Sequence, residues 1–293
     1  MFELVHIKGN TYYIENPAKI GLYRLNDEDV CLIDTGNDKD AGRKILNKIL
    51  KTEGWNLKFI ICTHSNADHI GGNEFLQKRT DCKIFAKGVE KLFTEKPIME
   101  PSFLYGGYPF KELRNKFLMA SPSVCLGFDD PDFPKNLEII PLNGHFFDMV
   151  GVKTPDNVVF LADCVFGENI VEKYHIFFIY DVKEYLNTLD KIEKLDAEFF
   201  VPSHASVCEN ISSAAKANRE KIFEVLGKIK EICQSPIIFE DILQQIFKAF
   251  DLTMDINQYV LVGSSIRSYL SYLKDEGQIT FEILDSKLYW KTV

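Results

Sequence analysis

Thr63-His64-Ser65-Asn66-Ala67-Asp68-His69-Ile70-Gly71-Gly72 follows directly on the apolar run Phe59-Ile60-Ile61-Cys62. Two imidazoles and a carboxylate therefore sit within six residues, on a short loop at the end of a strand. Imidazole nitrogen and carboxylate oxygen are the ligand types that hold zinc, iron or manganese. The glycine pair that closes the stretch lets backbone come close to the loop. A pattern this short also arises by chance, so its meaning depends on what the rest of the chain supplies.

Upstream, Thr11-Tyr12-Tyr13-Ile14, Ile20-Gly21-Leu22-Tyr23-Arg24-Leu25 and Val30-Cys31-Leu32-Ile33 have the aromatic and β-branched content of paired strands. Asn26-Asp27-Glu28-Asp29 is the turn between the last two. Ala41 to Leu50 has helical periodicity, with Ile45, Leu46, Ile49 and Leu50 on one face. Downstream, a second set of strands runs from Leu137 to Phe166, and Glu198-Phe199-Phe200-Val201 adds another. Alternation of this kind gives an α/β protein. Residues 92–135 separate the halves and are longer than a structureless loop in a compact domain usually is. They carry aromatics, the pair Gly106-Gly107 and the basic side chains Lys111, Arg114 and Lys116. Such a segment reads either as a lid whose cations clamp an anion, with Tyr105 and Lys111 or Arg114 against the substrate, or as a surface excursion or dimer contact. The last stretch, 209–293, reads as a separate unit. It has three amphipathic helices, about Ala214 to Cys233, Phe239 to Phe250 and a third bearing Ile266, Tyr269, Leu270 and Leu273, followed by a terminal hairpin.

With 293 residues, 46% hydrophobic and 26% charged, the composition is that of an ordinary globular protein. No stretch approaches the roughly 18 apolar residues of a membrane span, and the N-terminus lacks a basic-then-apolar leader, so a cytoplasmic location is expected. The seven cysteines are odd in number and have no C-x-x-C spacing, which argues against a disulfide framework or zinc knuckle. Cys62 and Cys164 border candidate loops, yet small buried hydrophobes remain the simpler account of them.

The opening segment resembles the metallo-β-lactamase superfamily signature T-H-x-H-x-D-H-x-G-G, with Asn66 where the second histidine would stand. Gly144-His145 with Gly151, Leu161-Ala162-Asp163-Cys164-Val165-Phe166, and Val201-Pro202-Ser203-His204 resemble that family's later motifs, and Asp34-Thr35-Gly36 its D-T-G. Four of the six histidines fall on these positions; His6 and His175 read as ordinary polar side chains. The resemblance, closest to glyoxalase-II-like hydrolases, implies an αββα four-layer sandwich over 1–208. It implies a first metal site of His64, Asn66 and His145, and a second of Asp68, His69 and His204. Asp163 would bridge the two, Asp34 would support the loop from behind, and Asp68 would also orient the catalytic water. An amide oxygen is a weaker zinc ligand than imidazole, so the first site should be the weaker.

One or two zinc ions are expected, with iron or manganese as the other candidates. The implied activity is hydrolysis by a metal-bound hydroxide of an ester, thioester, lactam, lactone or phosphodiester, on a small and anionic substrate. Two histidines and a carboxylate (His64, His145, Asp163) are also the set of a non-haem iron site, so a sulfur-dioxygenase-like oxidoreductase is the alternative. Ribonuclease action and a degenerate, non-catalytic binding protein are weaker ones. The C-terminal unit resembles a winged helix, an appendage of some family members. From Ala205 onwards it carries ten Lys or Arg against twelve Asp or Glu, and the whole chain has a formal charge of −9. Nucleic-acid binding is therefore not expected, and packing, homodimerisation or completion of the pocket is the expected role.

Overall fold

The extended runs pair largely in chain order in the computed structural model, which describes residues 2–293. Strands β1 (Leu4–Lys8), β2 (Thr11–Ile14), β3 (Ile20–Arg24) and β4 (Asp29–Ile33) form an antiparallel meander. β5 (Asn56–Ile61), β6 (Lys83–Phe85) and β7 (Cys125–Leu126) continue the same sheet in parallel. The second sheet holds β8 (Glu138–Pro141), β9 (Val150–Lys153), β10 (Val158–Phe166) and β11 (Phe199–His204), with only β10 and β11 parallel.

The helix expected over 41–50 is longer and irregular. α1 (Lys39–Lys44) starts at Asp38, whose carboxylate accepts the Asp40 and Ala41 N–H groups. It passes into a π-helical stretch, Ile45–Leu50, and then α2 (Lys51–Glu53). α3 (Ala67–Ile70) opens from the His64 loop, and α4 (Asn73–Thr80) follows it. α5 (Gly88–Glu95) and α6 (Met99–Tyr105) lead through the insertion. α7 (Glu168–Tyr174) and α8 (Val182–Ile192) flank the second sheet. α9 (Ser212–Ile232), α10 (Phe239–Ala249) and α11 (Ile256–Asp275) precede the hairpin of β12 (Ile279–Leu284) and β13 (Lys287–Thr292).

Three buried clusters define the layers. Cys31, Ile33, Ile61, Val152, Phe160 and Val201 interlock between the sheets. Ile45, Ile49 and Leu76 cover the outer face of the first sheet over Leu22, Leu32 and Ile60. Leu161, Val165, Tyr185 and Leu189 begin a third cluster on the outer face of the second sheet, and it runs without a break through Ile222, Ile246, Ile266 and Tyr269. This is the expected αββα arrangement. The C-terminal helices pack directly on it, because their apolar stripes have no other surface to bury against. Among the described residues no helix is long and apolar enough to cross a membrane.

Candidate metal centre

The C-terminal ends of β4, β5, β10 and β11 lie along one edge of the sandwich, where open α/β sheets place their ligands. Asp34 follows β4 in the left-handed region at φ 65°, a strained position that Asp tolerates better than most residues. The strain aims its carboxylate at the metal loop. It accepts the Thr63 N–H at 2.8 Å, the Thr63 hydroxyl at 2.7 Å and His69 Nδ1–H at 2.8 Å. Gly71 packs so closely that a Cβ there would meet Asn37 carbonyl carbon at 2.3 Å, which is why this turn takes glycine. In β10 the pairing with β11 slips on either side of Ala162, itself at φ 51°, and such an irregularity re-aims the neighbouring side chain, here Asp163.

The four site histidines converge with Asp68 and Asp163. The ligand atoms of Asp68, His69, Asp163 and His204 all lie within 4.8 Å of one another, and so do those of His64, His145 and Asp163. Two groups thus share one carboxylate. His204 Nε2 is 3.3 Å from Asp163 and 3.5 Å from Asp68.

The hydrogen bonds behind the imidazoles decide which nitrogen faces inwards. The single proton of the Thr63 hydroxyl goes to Asp34, so His64 Nδ1 must donate to Thr63 Oγ1, 3.0 Å away. His145 Nδ1 donates to the Phe178 carbonyl at 2.9 Å. In the neutral rings each Nε2 lone pair then points into the cluster, the arrangement that metal-binding histidines need. His64 Nε2 is buried without a hydrogen-bond partner, and His69 Nε2 faces Asp163 Oδ1 at 3.1 Å in poor hydrogen-bond geometry. A buried neutral ring nitrogen such as that of His64 is costly unless something positive completes it. These residues fit a divalent cation.

Asn66 belongs to the same cluster. Its Nδ2 donates to Glu100 at 2.8 Å, which turns Oδ1 towards His145 Nε2, 3.1 Å away. Two acceptors facing each other again call for a positive partner. Glu100 comes from α6, and Glu90 from α5 holds the loop from the other side, accepting the Ser65 N–H and hydroxyl as well as the Asp148 N–H. Sequence reasoning missed both glutamates. The available signal was an acidic residue among apolar neighbours on each helix, Val89-Glu90…Leu92-Phe93 and Ile98-Met99-Glu100…Phe103-Leu104.

Charges in the cluster are strongly perturbed. Burial, reinforced by the charge of His69, holds His64 well below its ordinary value; burial also lowers His145. Both stay neutral, the form a metal ligand requires. Burial would lower His69 and His204 too, but Asp163 and Asp68 reverse this, raising His69 well above the usual range and His204 to about 10. The same pairing holds Asp68 and Asp163 below the carboxylate range despite burial. Burial pushes Glu90 up to about 7 against the Ser65 hydrogen bond, and Glu100 well above its ordinary value.

Above the cluster lies a cavity of about 660 Å³, walled by the insertion (Leu104, Phe117, Leu118), the segment after β10, and α11 (Leu261, Val262). The structure does not bring Tyr105, Lys111 or Arg114 to this cavity. Tyr105 lines a neighbouring groove, Lys111 is exposed, and Arg114 stacks on Tyr108 with a 3.1 Å hydrogen bond to its hydroxyl. The reason is solvation: these polar chain ends sit at the outer tip of the insertion, while its apolar residues turn inwards. Cys62 and Cys164 are buried and free, His6 bonds the Gly9 carbonyl, and His175 lies against Phe250 away from the cluster.

Comparison with known proteins agrees with this geometry. The family model described as the metallo-beta-lactamase superfamily matches residues 9–204. A Drosophila melanogaster relative named Beta-lactamase-like protein 2 homolog is 25% identical over 85% of this chain and 79% of its own length. Its Caenorhabditis elegans namesake is 25% identical over 76% and 67%. Among solved structures, a beta-lactamase domain protein from Burkholderia ambifaria superposes with a TM-score of 0.75 at 15% identity, covering 99% of this chain and 94% of its own. A metallo-beta-lactamase family protein from Thermus thermophilus gives 0.71 at 16%, covering 100% and 98%. A metallo-beta-lactamase from Pontibacter korlensis gives 0.57 at 18% and covers only 75% of this chain, although 98% of its own. At these identities the structural likeness speaks for the fold alone, while the family model spans most of the chain and every motif of the cluster. The chain belongs to the metallo-β-lactamase superfamily.

Proposed function

We propose that this protein is a metal-dependent hydrolase. The observation that carries the reading is the pair of overlapping ligand groups sharing Asp163, of which Asp68, His145, Asp163 and His204 line the floor of a cavity. In this reading His64, His145 and the Asn66 amide oxygen would hold one cation and Asp68, His69 and His204 the other, Asp163 being available to both. Zinc suits the nitrogen-rich donor set, and iron or manganese would also be accepted by it. Divalent cations held there would acidify a water to near neutral pH and polarise the bond it attacks.

The protein's own residues do the rest. Asp68, whose side chain keeps 46% exposure, is the carboxylate open to the cavity and would orient the attacking water. Asp34 and Thr63 fix the ring orientations of His69 and His64, and Glu90 anchors Ser65, so the donors need little reorganisation. The set His64, His145 and Asp163 alone would also suit a sulfur-dioxygenase-like non-haem iron oxidoreductase, but Asp68, His69 and His204 in the same cluster favour hydrolysis. For the C-terminal helices we favour a structural role as cavity wall over nucleic-acid binding, since Arg267 of α11 is stacked on Phe239 at 3.7 Å. The test is hydrolysis of chromogenic esters and phosphodiesters by protein freed of metal and then reloaded with zinc, manganese or iron(II). Activity that returns with metal and vanishes with Asp68→Ala supports the reading. Metal-loaded protein inert towards every substrate class, or oxygen consumption with iron alone, contradicts it.

A further inference from the structure

The walls of the cavity differ in character from its floor. Polar groups are concentrated at the floor, in the cluster itself and Glu100, and the remaining lining is overwhelmingly aliphatic and aromatic, with Gln258 and Ser265 as the polar exceptions. Among the described residues no Lys or Arg lines it. Two cations of the insertion are engaged elsewhere, Arg114 with Tyr108 and Lys116 with Asp38 at 3.5 Å. A substrate carrying its own negative charge away from the reacting bond would meet hydrocarbon and the Glu100 carboxyl, with no counter-charge in the walls. At the mouth, Phe117 and Tyr174 remain 68% and 45% exposed, large rings that water solvates poorly and that a hydrocarbon chain would cover. The volume, about 660 Å³, lies within the range of pockets that enclose a small molecule.

From these observations we infer that the substrate is a neutral carboxylic ester or thioester whose acyl group carries a hydrocarbon chain of several carbons, seated against Leu104, Phe117, Leu118, Leu261 and Val262. The inference rests on the hydrolase reading and gives it a substrate class. The acyl carbon lies at the floor and the chain runs up the walls. Water supplies its hydroxyl to the acyl carbon, the acyl–oxygen or acyl–sulfur bond breaks, and the departing alcohol or thiol takes the remaining proton. No electron is exchanged. The C-terminal unit and the insertion thereby acquire one shared task, since each contributes a wall to the cavity.

The experiment compares p-nitrophenyl acetate, butyrate, hexanoate and octanoate with bis(p-nitrophenyl) phosphate, using full-length protein of verified metal content. The expected result is a kcat/KM that rises roughly fourfold per added methylene until the chain fills the cavity. Phe117→Ala and Tyr174→Ala, both at exposed positions that place no load on the core, should each reduce the octanoate-to-acetate ratio. A flat or falling series, or a preference for the phosphodiester, overturns the substrate class while leaving the hydrolase reading in place. Should none of these compounds be hydrolysed, the hydrolase reading fails, and binding of acetohydroxamate, hexanohydroxamate and octanohydroxamate by calorimetry decides the pocket separately. Affinity that climbs with chain length supports an acyl-chain site, and affinity independent of length removes it.

Discussion

The floor of the cavity and its walls follow opposite rules. On the floor four of the side chains are pinned from behind by hydrogen bonds: His69 by Asp34, His64 by Thr63, His145 by the Phe178 carbonyl and Asn66 by Glu100. On the walls the apolar side chains are held by packing, and the two at the mouth are exposed. The floor can serve one reaction type with little tolerance for change. The walls can be recomposed without disturbing it, because hydrophobic packing tolerates volume-conserving substitution far better than a buried polar network tolerates the loss of a partner.

The largest effect should come from the floor. Asp68→Ala or His204→Ala should lower hydrolysis and metal affinity by more than about 100-fold, the upper end of what losing a mere supporting partner costs. Parallel metal analysis and rate measurements check this, and retained metal with full activity would break the contrast between floor and walls. One layer behind, Asp34→Ala should weaken metal binding by roughly 10- to 100-fold without abolishing the fold, because it frees His69 to rotate and leaves Thr63 unpaired. A competition titration with a chromogenic chelator reads the change directly.

Asn66 sharpens the comparison inside the floor. Asn66→Ala should leave the Asp68–His69–His204 site filled and weaken only its neighbour, whereas Asn66→His should raise the affinity of the weaker site by supplying imidazole. If Asn66→Ala empties both sites, the asparagine is no minor ligand and the assignment of a stronger and a weaker site is wrong.

A smaller effect concerns pH. Burial depresses His204, but Asp163 and Asp68 more than reverse this, to about 10 from an ordinary 6.5. In metal-free protein the folded state therefore keeps a proton that the unfolded chain gives up. This contribution to stability is complete below pH 6.5 and disappears as pH rises through 10. Metal-loaded protein should show the opposite trend, losing stability on acidification as protons displace the cation. Melting curves across pH 6–10 for metal-free wild type and His204→Asn should diverge at the low end and meet at the high end. Parallel curves would remove the proposed proton.

Much of the floor was legible in the sequence because its residues sit at strand ends in fixed local patterns. Thr63 to Gly72, Gly144-His145, Asp163 and His204 each announce themselves within a few positions. The four-layer sandwich followed from the family resemblance of those motifs, alternation alone giving only α/β; periodicity gave α9 and α10 to within a few residues, but of α11 only its second half. Glu90 and Glu100 were not legible, since their meaning depends on which loop the insertion folds over. For the insertion the sequence left two readings open, and the cationic clamp is the one whose residues do not line the cavity. Lys111 and Arg114 look like a clamp in sequence because they are charged and near aromatics, but long cationic side chains seek water, and the segment folded its apolar face inwards instead. No local pattern records which face of an insertion will be turned towards a site contributed by distant strands.

The account stands most directly on Asp163, the one side chain common to both ligand groups. Zinc content per chain should be measured by calorimetric titration of metal-free protein together with elemental analysis, for wild type and for Asp163→Ala. The account predicts two zinc ions per wild-type chain, bound with unequal affinity, and weakening of both sites in the variant. Wild-type protein that takes up no zinc, or an Asp163→Ala variant that retains two ions at undiminished affinity, would contradict it.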